Sequence, residues 1–320
     1  MKRSDFGAYP TMITPYHTDG TVDYEAVKAL TKWYWEQGCA GIFASCQSSE
    51  IHFLSLEDRV KLAKVVKETA DELATADKSR KPMTIVASGH VSDSFEDQLE
   101  ELTQVAETGV DAVILISNRF DIDNTSDEAW IADCKKMMDA LPADVPLGIY
   151  ECPRPYKRLL TPAMIDFMVK SGRFAYIKDT CCDAGVIAQR VKQINETESP
   201  ALKPMLFDAN AQTLLATLRA GCSGYCGVMA NFHPHLYVWL CDNFEKQPEK
   251  ADLVGGFISI AAFLECLTYP ATAKYHLNKI GITMPTLSRS CDASKMSIYD
   301  LACIDDMARL ADHFEEIIAE

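Results

Sequence analysis

Phe174-Ala175-Tyr176-Ile177-Lys178-Asp179-Thr180 is the stretch on which the reading of this chain turns. Its first four residues are apolar and rich in aromatic and β-branched types, the signature of a short buried strand. Lys178 closes that strand. An ammonium at the carboxyl end of a buried strand is poorly solvated, and desolvation favours the neutral amine. Only the neutral amine attacks a carbonyl, so the position suits a nucleophile that forms a Schiff base. The competing reading is a lysine whose stem packs on the rim of a sheet while its head reaches water. The strand alone leaves both open.

Outward from this stretch, strand-like and helix-like segments alternate. Strands are expected at Ala8 to Ile13, Ile42 to Ala44, Met83 to Ala87, Ala112 to Ile116, Pro146 to Tyr150, Phe174 to Lys178, Met205 to Phe207 and Gly224 to Val228. Helices are expected at about 23–38, 56–75, 95–108, 126–141, 161–171, 183–196 and 209–220. Thr161-Pro162 supplies a cap and a first-turn proline, and Gly109 and Gly221 close two of the helices. Continuous apolar strands alternating with helices imply a parallel sheet covered on both faces. Eight such units over residues 1–247 fit the length of a (β/α)8 TIM barrel, an α/β fold. A doubly wound open sheet is the competitor. It usually has fewer strands, and no GxGxxG fingerprint occurs. Residues 248–320 lose the alternation. Ala251 to Leu267, Ala271 to Leu277 and Ile298 to Ile318 read as a helical C-terminal extension.

Composition narrows the function classes. The 320 residues are 48% hydrophobic, ample for a large core. The apolar runs are strand-length, so no membrane span is expected, and Met1 to Asp5 lacks the apolar segment of a signal peptide. A soluble cytoplasmic protein is the expectation. The formal net charge of −15 disfavours nucleic acid and anionic membranes as partners. Twelve cysteines are scattered without a CxxC pair, and adjacent Cys181-Cys182 rarely bond each other, which points to reduced thiols used as small hydrophobes.

Active sites of barrels lie at the carboxyl ends of the strands. There the chain places Thr14-Pro15, then Cys46-Gln47-Ser48-Ser49-Glu50, Tyr150, Lys178, Asp208, Asn210 and Asn231. Schiff-base chemistry needs an amine, a proton shuttle beside the carbinolamine and donors for the charged end of the substrate. Lys178, Tyr150 and the loop of Gln47, Ser48 and Ser49 meet those needs together. Singly, each has an ordinary reading: a packed tyrosine, a serine turn, a rim lysine. His233-Pro234-His235 lacks a third metal ligand nearby in sequence, and the pairing of Cys46 with His52 reads as coincidence. His90 is a further residue at a strand end, with its place relative to the pocket left open.

These motifs make the chain resemble the dihydrodipicolinate synthase / N-acetylneuraminate lyase family of class I, Schiff-base-forming aldolases. Ile13-Thr14-Pro15 matches the family's Thr-Pro after the first strand. Cys46 to Glu50 occupies the place of its Gly-(Ser/Thr)-Thr-Gly-Glu loop, with Leu54 four residues beyond. Tyr150-Glu151-Cys152-Pro153 matches Tyr-Asn-x-Pro, Lys178-Asp179 matches the Lys-(Asp/Glu) pair, and Ala230-Asn231 resembles the end of strand eight. The resemblance implies a barrel in which Lys178 forms the imine with pyruvate or another 2-oxo acid and Tyr150 relays protons. It implies substrate binding at Ser48, at Gln47 and Ser49 of the same loop, and at the backbone of Cys226, with no cofactor and no metal. It also implies a homo-oligomer, a dimer or tetramer, for which the helical tail and the region of Arg119-Phe120 are candidate contact surfaces.

The departures shape the expected function. Gln47 stands where the family has a relay hydroxyl, and an amide does not pass a proton as a hydroxyl does. Phe120 lies in the region where the synthase has a second tyrosine. Arg154, Lys157 and Arg158 replace its arginine with a shifted, more basic cluster, which suits an acidic second substrate. The expectation is a 2-oxo-acid-dependent aldolase acting on an aldehyde or sugar-acid-like partner rather than the lysine-biosynthetic synthase. A sugar-acid dehydratase using the same imine and a non-catalytic 2-oxo-acid-binding member are the alternatives.

Overall fold

The computed structural model describes residues 5–201 and 203–319; the expectation drawn from Met1 to Ser4 at the N-terminus lies outside them. Eight parallel strands alternate with helices: β1 (Gly7–Ala8), β2 (Gly41–Phe43), β3 (Thr84–Ala87), β4 (Ala112–Ile116), β5 (Leu147–Tyr150), β6 (Phe174–Asp179), β7 (Met205–Asp208) and β8 (Gly224–Tyr225). Each strand pairs with its sequence neighbour from β2 to β8, and β8 pairs with β1. A parallel bridge between Thr11 and Phe43 joins the two free edges and closes the barrel. The expected (β/α)8 TIM barrel is the observed fold.

Between the strands run α1 (Tyr24–Glu36), α2 (Leu56–Ala76), α3 (Phe95–Ala106), α4 (Asp127–Ala140), α5 (Pro162–Ser171), α6 (Ala184–Glu196) and α7 (Leu214–Arg219), and α8 (Pro234–Asn243) follows β8. Side chains of Asp23, Ser55, Ser94, Ser126, Thr161 and Asp183 cap the first six by accepting backbone N–H groups otherwise left without partners. Pro162 stands at the start of α5, as its sequence implies, and Gly172 ends it in the left-handed region at φ 64°.

Three boundaries differ from the sequence reading for clear physical reasons, beyond shifts of a few residues elsewhere. β1 stops at Ala8 because Pro10 has no N–H to give to a ladder; pairing resumes across the other edge at Thr11. α7 begins at Leu214 rather than 209, because Asp208 takes the N–H of Asn210 and the hydroxyl of Thr213 and holds that segment as a turn. β8 ends at Tyr225, and Val228–Asn231 coils into a 3-10 turn instead of extending the strand. At the β1–β8 seam, Gly224 lies so close to Gly7 that a Cβ there would meet the Gly7 carbonyl oxygen at 1.9 Å.

The core divides in two. One part lies between barrel and helices. The other fills the barrel with Tyr9, Phe43, Ile114, Tyr150, Tyr176 and Phe207 among others. Within it the Tyr176 and Phe207 rings stack at 4.6 Å, and Tyr9 meets Phe207 at 4.6 Å. This aromatic plug seals the barrel below the carboxyl ends of the strands.

After the barrel come α9 (Pro248–Ala261), a 3-10 segment Ala262–Cys266, α10 (Ala271–Lys279) and α11 (Ile298–Ala319). Ala251, Val254, Ile258, Leu277 and Ile304 bury themselves in the outer core, so the tail is packed on the barrel. No helix among the described residues is long and apolar enough to cross a membrane, and all twelve cysteines are free thiols.

Candidate active site

Strand alternation places the chemistry. Along β6, Tyr176 and Lys178 face the barrel interior, while Ile177 and Asp179 face the helices. Lys178 is in register with Tyr150 on β5 and Phe207 on β7. Its Nζ lies 4.4 Å from the centre of the Tyr150 ring and 5.5 Å from that of Phe43. Lys178 is 4% exposed, so its amine sits on the aromatic plug with only its tip open above.

Above that tip is a cavity of about 380 Å³, lined by Lys178, Tyr150, Gln47 and Ser48 and, toward its mouth, by Arg154 and Lys157. The structure thus gathers five of the seven residues singled out in the sequence: Lys178, Tyr150, Gln47, Ser48 and Arg154. Ser48 donates its hydroxyl to Thr11 at 3.1 Å. The amide oxygen of Gln47 accepts the thiol of Cys152 at 3.3 Å. Burial pushes the Tyr150 phenol well above its ordinary range, with the thiols of Cys152, Cys46 and Cys226 adding to the effect. Tyr150 is therefore held as the neutral phenol, the form that donates a proton to a developing alkoxide.

The other two are corrections. Ser49 does not reach the cavity. Its hydroxyl is turned into the fold, within hydrogen-bond distance of the carbonyls of Met12 (2.7 Å) and Ala44 (2.9 Å), and it accepts the Cys46 N–H. The loop's sharp turn through Glu50, at φ 64°, needs that internal tie. Cys226 is buried one residue below the wall, its N–H spent on the Asp208 carbonyl; Gly227 and Val228 line the cavity instead.

One further expectation changes, and two other strand-end regions find their places. Arg158 does not join the mouth. It is buried and paired with Asp121 at 3.0 Å, leaving Arg154 and Lys157 as the cations there. Arg119 and Phe120 are themselves buried. Arg119 pairs with Asp93 at 2.9 Å, and Phe120 packs between His90 and Trp130 with 2% exposure. His90 is a buried structural histidine whose Nδ1 accepts the Ile116 N–H at 3.0 Å while Nε2 meets Gln98 at 2.5 Å; burial lowers it to about 4.

Sequence reasoning also missed residues. Glu265, Tyr269 and Ser290 all line the cavity, and all come from the tail. Tyr269 accepts a hydrogen bond from Asn231 at 3.1 Å, and Asn231 in turn accepts one from Tyr34 at 2.5 Å. Glu50 takes the N–H groups of Arg289 and Ser290 at 2.7 and 2.6 Å, clasping the tail to the loop that carries Ser48.

Support for the two central side chains comes from behind. Asn118 Nδ2 lies within 2.5–2.8 Å of the carbonyls of Cys152, Arg154 and Tyr156, which fixes the loop after Tyr150. On the outward face, Glu151 and Asp179, the neighbours of Tyr150 and Lys178, share the guanidinium of Arg190. Glu151 also accepts the N–H groups of Leu160 and Thr180, each at 2.7 Å. Both carboxylates are fully buried, and burial together with Asp179 raises the Glu151 carboxyl against the pull of Arg190. Arg190→Met is expected to destabilise the fold by about 3–5 kcal/mol in urea unfolding, because it strands two buried charges. The variant's folded state then holds protons that its unfolded state releases. Lowering the pH must therefore narrow the deficit, and a loss that is small or independent of pH contradicts the assignment.

The comparisons with known proteins fit this geometry. The model of the dihydrodipicolinate synthetase family matches residues 6–291. A 4-hydroxy-tetrahydrodipicolinate synthase of Clostridium perfringens (strain SM101 / Type A) is 22% identical over 274 residues, 85% of this chain and 87% of the relative. Among solved structures, the sialic acid aldolase of Ruminococcus gnavus superposes with a TM-score of 0.81 at 18% identity, over 99% of this chain and 100% of that one. The E. coli K12 prophage protein YagE, solved in complex with pyruvate, gives 0.80 at 18% identity over 97% and 98%. Likeness at that identity carries the fold; the family match over nearly the whole chain carries membership. The resemblance read from the motifs holds, and the chain belongs to the dihydrodipicolinate synthetase family, whose members are lyases of the class I aldolase type.

Proposed function

We propose that this enzyme joins a pyruvate-like 2-oxo acid to Lys178 as an imine and uses that imine to make or break a carbon–carbon bond with an aldehyde or sugar-acid-like partner. The observation that carries the reading is the pairing of Lys178 with Tyr150, adjacent in register and 4.4 Å apart from amine to ring centre on a cavity floor. In its neutral form Nζ attacks the ketone carbon. The carbonyl electron pair moves to oxygen, which takes the Tyr150 proton. The phenolate recovers a proton from the new N–H, and the hydroxyl leaves as water with a proton from Tyr150. The Ser48 hydroxyl lines the cavity, and turned from Thr11 it holds the carboxylate together with the backbone around it. The pyruvate complex of YagE supports the choice of 2-oxo acid by analogy.

Incubation with pyruvate and borohydride, followed by whole-protein mass measurement, tests the imine. One reduced pyruvate per chain supports it; an unchanged mass sinks it. Product analysis with a panel of aldehydes and sugar acids then separates carbon–carbon bond chemistry from dehydration.

The second substrate is read from the mouth. Arg154 lies with its guanidinium 5.6 Å from the Phe53 ring centre, and Lys157 is tied to the Thr180 carbonyl at 2.8 Å. Both are exposed, so each ion pair with a substrate anion contributes only about 1 kcal/mol, roughly fivefold. Replacing both by alanine is expected to lower kcat/KM for an acidic 2-oxo compound by roughly tenfold or more, and to flatten its salt dependence. An equal loss for a neutral second substrate points instead to a loop distortion.

A further inference from the structure

Gln47 and Asn210 both line the cavity, and each carries an amide that the fold holds one way round. The Gln47 oxygen accepts the thiol of Cys152 at 3.3 Å. Cys152 is buried, and burial pushes its thiol up to about 11, so at neutral pH it keeps its proton and donates. The Asn210 oxygen accepts the Gln212 N–H at 2.9 Å, the tie of a tight turn. An amide whose oxygen is committed in this way offers its NH2 group to anything else that comes near. Neither NH2 group has a hydrogen bond among the described residues, and both side chains are half-buried.

The two flank Lys178. Asn210 follows β7, the strand on one side of Lys178. Gln47 comes from the loop after β2, and its bond to Cys152 ties it to the segment after β5, the strand on the other side. The cations at the mouth, Arg154 and Lys157, are donors too. A cavity with fixed donors on both sides suits a ligand rich in acceptor oxygens. A hydroxyl accepts from an amide N–H, an alkyl chain does not, and the cations suit a carboxylate. We infer that Gln47 and Asn210 read the hydroxyl groups of a polyhydroxylated acid, with Cys152 as the positioning residue that keeps the Gln47 donors free for it. The inference deepens the reading above and rests on its placing of an acidic second substrate in this cavity. It gives neither amide a part in proton transfer.

Binding measured without pyruvate tests it independently of the imine. Calorimetric titration compares gluconate with hexanoate, which share one charge and a six-carbon chain and differ in hydroxyls. The wild type is expected to bind gluconate about tenfold more tightly or better, from two hydrogen bonds. Gln47→Glu and Asn210→Asp each exchange the NH2 group for an oxygen and keep the oxygen that the fold uses. Each is expected to lower the gluconate-to-hexanoate ratio by about 2–12-fold, the net contribution of one hydrogen bond. The added charge acts on both ligands alike. Cys152→Ala should lower the ratio about twofold, because a freed amide faces either way, and Cys152→Ser, whose hydroxyl still donates, should restore it. Thermal melting verifies the fold of each variant. No binding of gluconate by the wild type, or hexanoate bound as tightly, overturns the inference. An unchanged ratio in Gln47→Glu or in Asn210→Asp overturns the role of that residue, and an unchanged ratio in Cys152→Ala overturns the role of the thiol. If gluconate binds as expected and the wild type traps no pyruvate under borohydride, the imine reading falls and the assignment of Gln47 and Asn210 stands.

Discussion

Lys178→Ala is expected to yield a folded protein that traps no pyruvate under borohydride and has no measurable turnover. The size of the loss follows from the mechanism. Without the amine no covalent intermediate forms, and no other group on the cavity floor offers a nucleophilic nitrogen to the ketone. Lys157 lines the same cavity, but its Nζ is bonded to the Thr180 carbonyl near the mouth and does not rest on the aromatic plug. Folding should survive, because truncating Lys178 leaves no buried group of opposite charge without its partner; the buried ion pairs of this region lie on the outward face around Arg190. Mass measurement after borohydride and a circular dichroism melt check both halves. Trapping at comparable yield in the alanine variant would make the assignment of Lys178 wrong.

Tyr150→Phe should cost about 10²–10⁴-fold in turnover with little loss of stability, the usual contribution of a positioned acid–base group. The ring is what packs. It meets Phe43 edge-on at 5.5 Å, and that contact survives in phenylalanine. The hydroxyl is what reacts. The thiols of Cys152, Cys46 and Cys226 bear on it, and the Cys152 thiol in turn bonds the Gln47 amide oxygen. A loss below about threefold reduces Tyr150 to packing. Single-turnover trapping should slow with turnover, because the phenol acts in forming the imine.

The sequence carries the fold far because a parallel barrel writes its pattern locally. Strands buried on both faces read as apolar runs, and capping residues such as Thr161-Pro162 and Asp183 mark the helix starts. Lys178 and Tyr150 were legible for the same reason: a residue at a strand's end in a barrel has its position fixed by the strand. What was illegible depends on direction and on distance along the chain. Ser49 sits beside Ser48, yet the turn through Glu50 spends its hydroxyl on Met12 and Ala44. Arg158 sits one residue from Lys157, yet pairs inward with Asp121. Glu265 and Tyr269 lie in a tail with no strand to place them, and they reach the site only because α9 and α10 fold back over the barrel.

The alternation that separates Lys178 from Asp179 also separates two kinds of energetics. Inward residues sit over an aromatic floor with few polar partners, which leaves them reactive. Outward neighbours Glu151 and Asp179 are held by Arg190 and by backbone N–H groups, which makes the strand ends rigid. Fixing the backbone on one face is what allows an amine and a phenol on the other to stay in register without being consumed by hydrogen bonds of their own.

The central claim is that a 2-oxo acid becomes covalently bound to one lysine at the carboxyl end of β6. Peptide mapping of the wild-type protein after pyruvate and borohydride tests it most directly. The account predicts a single modified peptide with one reduced pyruvate on Lys178. Modification at Lys157 or Lys274 in its place, scattered modification of surface lysines, or none at all would contradict it.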